Sequence, residues 1–313
     1  MRLRYYPDSN PGFTRQRRGR GFSFLAPDGT RVEQSDVVKR LMGLAVPPAY
    51  SIVWMSPFEN GHLQATGRDD SGRKQYQNHA DLVLLRAMRL FDQLVPFAIK
   101  LPRIRRWIND RLAGEPGAFD TAIATVLALM DRASMRVGSP EYTAENGSHG
   151  ATTLLSQHVT ISGDAITLNY PAKGGAIVTK RLRGHRLART LEACQDLPGA
   201  DLLAYGENAS IRSEHLQQVL ADLTEDETIT PKTFRTWNGS HAAFCAATER
   251  PTIKAITAAA SERLHNTPTI ARSSYIHPAI IELVKRGETT HIETVTPDNL
   301  RRGEAGLKAL LDR

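Results

Sequence analysis

The chain has 313 residues, of which 41% are hydrophobic and 23% charged; these are ordinary globular values, with room for two domains or one large one. Forty lysines and arginines stand against 33 acids, and the net charge of +7 favours a polyanionic partner. Cys194 and Cys245 form no CxxC pair, so neither a disulfide framework nor a zinc site is indicated; no apolar run reaches membrane-spanning length, and no apolar stretch follows the basic N-terminus as a signal peptide requires. A reducing cytosol is the expected compartment. The charge is segregated: residues 1–22 carry six arginines against Asp8, and no acid lies between Asp164 and Glu192, where Lys173, Lys180, Arg181 and Arg183 fall. Such blocks are either solvated faces or one side turned to a nucleic acid.

In chain order, Gly19–Leu25 alternates like a strand and Pro27-Asp28-Gly29 forms a turn. Val37, Val38, Leu41 and Met42 predict a short helix, and Tyr50–Met55 a β-branched and aromatic strand. Gly and Asp turns then join short strands through residues 61–76, which points to a small β-rich domain. The segment GRDDSGRKQY has two readings. It is a solvated hairpin, or Arg68, Arg73, Lys74, Gln75 and Tyr76 enter a DNA groove, where Arg and Lys meet phosphate or guanine and Gln pairs with adenine.

The run PPAYSIVWMSPFENGHLQATGRDDSGRKQYQNH, residues 47–79, closely resembles the N-terminal signature of the poxvirus-like bacterial type IB DNA topoisomerases. The resemblance implies an α+β protein: a small antiparallel β-rich domain over residues 1–79 and a larger, mostly helical catalytic domain over 80–313 with a small β-hairpin. Together they would form a C-shaped clamp on double-stranded DNA. In that family Tyr76 and its neighbours would face the major groove.

Leu84, Met88, Phe91 and Val95 predict one face of a helix that starts near Ala80, with Pro96 and Pro102 interrupting or ending it. The next helix carries Phe119, Ile123, Val126, Leu127 and Met130 on one face and stops before Gly138 and Pro140. Arg136, just beyond, is a helix-end cap or a phosphate ligand by its residue type. Its MRVG setting resembles the family's first catalytic arginine, a setting that Arg132 lacks. Thr152–Leu155, His158–Ile161, Ile166–Tyr170 and Ala176–Lys180 predict strands, joined by turns at Gly163-Asp164 and Lys173-Gly174-Gly175. The family carries its catalytic lysine on this hairpin, usually with a second basic residue. Here Ala176 stands in that place, and Lys173 takes the role.

A helix is expected over 209–221 and another from Pro231, capped by Thr230, which sets Arg235 within its first two turns. The word KTFRTWN resembles the family's second catalytic arginine motif. Tyrosine recombinases share the Arg–Lys–Arg–Tyr layout but typically carry HxxR there; here Lys232 stands three residues before Arg235. Ile253–Leu264 predicts a further helix. The poxvirus pattern has His-Thr-Pro nine residues before the nucleophile; nine before Tyr275 is Asn266, followed by Thr267-Pro268, so the resemblance assigns the phosphate ligand to Asn266 and leaves His265 as a helix-end residue.

Tyr275, in ARSSYIHP, is then the nucleophile. One tyrosine among eight says little by itself. A free phenol lies about 4 kcal/mol from its phenolate at pH 7. One preorganised donor contributes about 3 kcal/mol, so two arginines, a lysine and an asparagine cover that deficit. No GxxxxGK[ST] loop and no metal-ligand cluster is legible, so neither ATP nor metal is expected. The implied activity is supercoil relaxation of either sign by a monomer at the nucleoid, through a 3′-phosphotyrosyl intermediate. A tyrosine recombinase and a non-enzymatic basic DNA-binding protein are the rivals.

Overall fold

The computed structural model describes residues 2–197, 201–248, 251–292 and 299–313. Strands β1 (Phe13–Arg18) and β2 (Gly21–Leu25) form a hairpin, followed by helix α1 (Ser35–Gly43) and strands β3 (Ser51–Met55), β4 (Leu63–Arg68) and β5 (Lys74–Asn78). The sheet is antiparallel in the order β2-β1-β3-β4-β5. Phe24, Val53, Met55 and Ala65 from the strands pack with Leu41 of α1 and with Val32. β1 was not anticipated; its Arg15, Arg17 and Arg18 masked the strand pattern.

Helix α2 (Ala80–Asp92) starts where its apolar spacing predicts, but Leu84 and Met88 are exposed and only Phe91 is buried. The chain divides into compact units Met1–Arg89 and Leu90–Arg313, within this helix. Val95 belongs to the next helix, α3 (Leu94–Arg111). Pro96 falls in its first turn, where its missing N–H costs nothing. Pro102 lies inside α3 rather than ending it. An interior proline costs about 3 kcal/mol. Leu94, Phe97, Leu101, Ile104 and Ile108 are all buried on this helix, each worth about 1.5–3 kcal/mol, so packing overrides the break.

Helix α4 (Phe119–Ala133) is buried along almost its whole length and ends at Ser134, whose left-handed backbone (φ 54°) turns the chain sharply. Helix α5 (Pro140–Asn146) follows, capped by the Ser139 hydroxyl. The strand expected at Thr152–Leu155 is instead a 3₁₀ turn, Ala151–Thr153. Its backbone is committed elsewhere: Ala151 N–H donates to Arg136 O and Thr152 N–H to Val137 O, which leaves no ladder to join. Strands β6 (Val159–Ser162), β7 (Ala165–Pro171) and β8 (Ile177–Arg183) form an antiparallel sheet in that order. Helices α6 (His185–Gln195), α7 (Ser213–Thr224), α8 (Pro231–Ala246), α9 (Ile253–Leu264), α10 (Pro268–Ser274), α11 (Pro278–Lys285) and α12 (Glu304–Leu311) complete the unit. α7 begins later than expected, so Ile211 is buried ahead of it. No helix among the described residues is long and apolar enough to cross a membrane.

A buried ionic cluster joins four helices of this unit. Arg105 of α3 donates to both oxygens of Asp131 (α4) at 3.0 Å and to both oxygens of Glu304 (α12) at 2.6 and 2.8 Å. Trp237 Nε1 of α8 donates to Glu304 Oε1 at 2.9 Å, and Arg301 pairs with Asp131 at 2.6 Å. Removing one partner of such a cluster strands the opposite charges in a dry core. Arg105→Met is therefore expected to cost about 3–5 kcal/mol of unfolding free energy by chemical denaturation. A loss under about 1 kcal/mol would mean that the carboxylates are solvated.

Candidate active site

Arg235 is the centre of the site. It sits in the second turn of α8, which opens with Pro231 and is pinned by the Thr230 N–H to the Thr233 hydroxyl at 3.1 Å. Only 4% of Arg235 is exposed. Its Nη1 donates to the Ser134 carbonyl and its Nη2 to the Leu264 carbonyl at 3.1 Å. The guanidinium thus bridges the C-terminal ends of α4 and α9, where backbone carbonyls lack helical donors. Its Nε has no hydrogen-bond partner in the protein. Burial pulls the Arg235 pKa down and the Arg136 charge pulls it further, with Tyr275 and Tyr170 opposing.

Arg136, Asn266 and Tyr275 approach this guanidinium from separate elements of the same unit, whereas Lys173 is not brought to it. Arg136 leaves the Ser134 turn, fixed by the bond that Ala151 N–H makes to its carbonyl. The end of α9 is His265, in a left-handed conformation (φ 47°), so it is the helix-end residue expected, and Asn266 follows it. Both side-chain atoms of Asn266, Nδ2 and Oδ1, are buried without a protein partner. The Arg235 Cζ lies 5.4 Å from the Tyr275 ring centroid.

The seat of Tyr275 is built by two small residues that follow Arg235 on α8. A Cβ at Gly239 would meet the Cβ and the carbonyl oxygen of Tyr275 at 3.0 Å, so glycine lets Tyr275 approach without displacement. The Ser240 hydroxyl donates to Tyr275 O at 2.9 Å and accepts from His277 N–H at 3.0 Å. Gly239 is four residues after Arg235 and lies on the same helix face. The sequence word RTWNGS thus presents a buried arginine and a backbone seat side by side.

Lys173 is exposed at the β7–β8 turn, where Gly174 (φ 89°) and Gly175 (φ 78°) supply the left-handed conformations. Lys180, further along β8, was legible only as part of a basic run. It belongs to the core-facing set Val178–Lys180–Leu182, and this alternation is the signal that singles it out. Its Nζ donates to Arg263 O at 2.8 Å. Burial lowers its pKa to about 7, helped by the charges of Arg263, Arg235 and Arg136. The same surroundings act on two neighbours. Burial pushes the Tyr170 phenol up against the pull of Arg235 and Arg136, whereas burial and the charges of Lys180, Arg235 and Arg136 lower His265. Among the described residues no carboxylate offsets the charge of Arg235 or Lys180. A cationic recess of this kind suits a phosphate diester.

In the N-terminal unit the five groove candidates are placed differently. Asp69 organises the β4–β5 turn, accepting from Ser71 and Arg73 N–H, from Arg73 Nε and from Gln75 Nε2. Arg68 donates to Gly72 O at 2.6 Å, and Lys74 pairs with Asp8 at 2.6 Å. Tyr76 is 60% exposed, with the Lys74 ammonium 5.4 Å from its ring. Arg68, Arg73, Lys74 and Gln75 therefore shape the hairpin that presents Tyr76.

Residues 21–69 match the family model for the N-terminal domain of bacterial DNA topoisomerase IB. Residues 80–266 match the catalytic core of eukaryotic DNA topoisomerase I, a span that holds Arg136, Lys173, Arg235 and Asn266 and stops short of Tyr275. The chain is also 26% identical over 309 residues to the DNA topoisomerase 1B of Acanthamoeba polyphaga mimivirus, covering 92% of this chain and 91% of that protein.

The lowered pKa of Lys180 sets a pH dependence. The folded lysine titrates at about 7 and the free side chain at 10.5. Between those values the unfolded chain binds more protons than the folded one, so stability rises with pH across that window. Lys180→Met removes this contribution. Relative to wild type, the variant is expected to be most favoured near pH 7 and to lose that advantage towards pH 10, as read by thermal denaturation. A difference independent of pH would contradict the burial of the amine.

Proposed function

The chain belongs to the DNA topoisomerase I family and is a type IB topoisomerase; from that premise we propose that Tyr275 attacks a phosphodiester of double-stranded DNA to form a 3′-phosphotyrosyl link. Arg136, Arg235 and Asn266 hold the non-bridging oxygens, and Lys173 protonates the departing 5′ oxygen. The free strand end then rotates, supercoils of either sign relax, and the 5′-hydroxyl reseals the strand. The reaction exchanges one phosphate ester for another, so the bond energy is retained and no ATP is needed.

The observation that carries this reading is the buried Arg235 guanidinium, its Nε unbonded, 5.4 Å from the Tyr275 ring centroid and bonded to the end of the helix that leads into Asn266. Arg235 Nε is an unbonded donor on a guanidinium beside a tyrosine whose backbone is held by Gly239 and Ser240, and Asn266 Nδ2 is a second buried, unbonded donor. Positioned donors of this type stabilise charge that develops on phosphoryl oxygens. Asparagine donates to an oxygen but carries neither charge nor proton, so no histidine shuttle takes part. Residues 1–79 supply a second DNA-binding domain, with Tyr76 as its leading side chain. The enzyme acts as a monomer in the cytoplasm, at the nucleoid.

Plasmid relaxation in chelator and without nucleotide tests the proposal. Wild type relaxes both signs of supercoil, and Tyr275→Phe relaxes neither. Asn266→Ala is expected to cleave about 100-fold more slowly and Asn266→His to recover most of that loss, because imidazole restores the donor. Relaxation by the Tyr275→Phe protein, or dependence on ATP, would sink the proposal.

A further inference from the structure

Lys180 presents a problem that the chemistry above does not use. A largely desolvated amine with no carboxylate partner among the described residues costs stability, yet its side chain lies among the phosphate-site cations. Arg263 and His265 approach it from the end of α9, Arg235 from α8 and Arg136 from the turn after α4. Across the sheet it pairs with Leu168, which carries no charge. Among the described residues, the bond of its Nζ to Arg263 O is one of three side-chain bonds that tie the last turn of α9 to other elements. The second is Arg235 Nη2 to Leu264 O, and the third is Arg263 Nη2 to Arg132 O of α4 at 2.8 Å. The last turn of α9 is thereby fastened to β8, α8 and α4. Those elements carry or lead into Lys173, Arg235 and Arg136, and the same turn continues directly into Asn266.

We propose that Lys180 is a positioning residue whose bond to Arg263 O registers the Lys173 hairpin against the Asn266 turn, so that the general acid and the phosphate ligand face one scissile phosphate. Without this bond β8 has no hydrogen-bonded tie to α9 among the described residues, and the lysine tip is set by its own ladder. That ladder is continuous from Leu168–Lys180 out to Pro171–Ile177, so a shift at Lys180 is carried along the hairpin to Lys173. A residue selected only for stability would be apolar here, as Val178 is. The inference rests on the reading of Lys173 as the proton donor. In that step the Tyr275 oxygen–phosphorus bond forms as the phosphorus–O5′ bond breaks. The Lys173 proton goes to O5′ and the tyrosine proton leaves to solvent.

A single-turnover cleavage assay on matched DNA tests it, one substrate with the ordinary 5′ oxygen at the scissile bond and one with sulfur in that place. A thiolate leaves without a proton, so loss of the acid's alignment is masked on the sulfur substrate. Lys180→Met is expected to cleave the ordinary substrate about 10- to 100-fold more slowly than wild type and the sulfur substrate at nearly the wild-type rate, as Lys173→Ala does. Lys180→Arg, which keeps a charged donor for the carbonyl, is expected to retain most of the ordinary rate and serves if the methionine variant folds poorly. Equal losses on both substrates, or no loss on either, would overturn the assignment. If wild type forms no covalent adduct with either substrate, the reading of Tyr275 fails first and Lys180 with it. If wild type cleaves but Lys173→Ala shows no sulfur rescue, only the general-acid assignment and the inference built on it fail.

Discussion

Arg235 is buried against two backbone carbonyls and, among the described residues, is paired with no carboxylate. A guanidinium taken out of water without a counter-ion is costly, and the carbonyls of Ser134 and Leu264 offset only part of that cost. The rest of the site follows from how it is held. Because its two acceptors lie at the ends of α4 and α9, the segments that issue from those ends, Arg136 and Asn266, are brought to the same place. Because Gly239 is one helical turn further along α8, Tyr275 can approach the same face.

The other buried arginine shows the contrast. Arg105 is surrounded by Asp131, Glu304 and, through Asp131, Arg301, with every nitrogen spoken for. It ties α3, α4 and α12 into a frame and has nothing left to offer a ligand. Arg235 keeps its Nε without a hydrogen-bond partner, and the side-chain Nδ2 and Oδ1 of Asn266 are likewise unbonded among the described residues. One arginine is neutralised from within; the other has the electrostatics of a group that waits for an anion. Asn238, next to Trp237 on α8, donates to Asp131 O at 2.9 Å, so the frame holds the helix that carries the site.

Much of this was legible in the residues. The helix Ile253–Leu264 and the strand ending at Met55 were visible as periodicity, and the motif around Arg235 and the spacing from Asn266 to Tyr275 as a resemblance. What was hidden has physical causes. Pro102 reads as a helix end because its local cost is plain and the burial that outweighs it is tertiary. Thr152–Leu155 reads as a strand because β-branched residues favour one, whereas its backbone partners lie in the segment after α4. Leu84 and Met88 keep helical spacing without burial, since periodicity fixes the face of a helix and not what covers it. Lys180 hid because a lysine in a strand is ordinarily taken as solvent-facing; its place between Val178 and Leu182 says otherwise. The charges of GRDDSGRKQY could be read as DNA contacts or as hairpin chemistry, and the hydrogen bonds of Asp69 show how far the second use extends.

The central claim is that Tyr275 becomes bonded to the 3′ side of a broken DNA strand, and trapping that bond tests it most directly. Enzyme and end-labelled duplex are mixed, quenched with denaturant and digested with protease, and the DNA-linked peptide is identified by mass. The account predicts a peptide that contains Tyr275, attached to a 3′-phosphate, with a free 5′-hydroxyl on the other end. A link to the 5′ end, a different tyrosine, or no covalent peptide under conditions where the enzyme relaxes plasmid would contradict it.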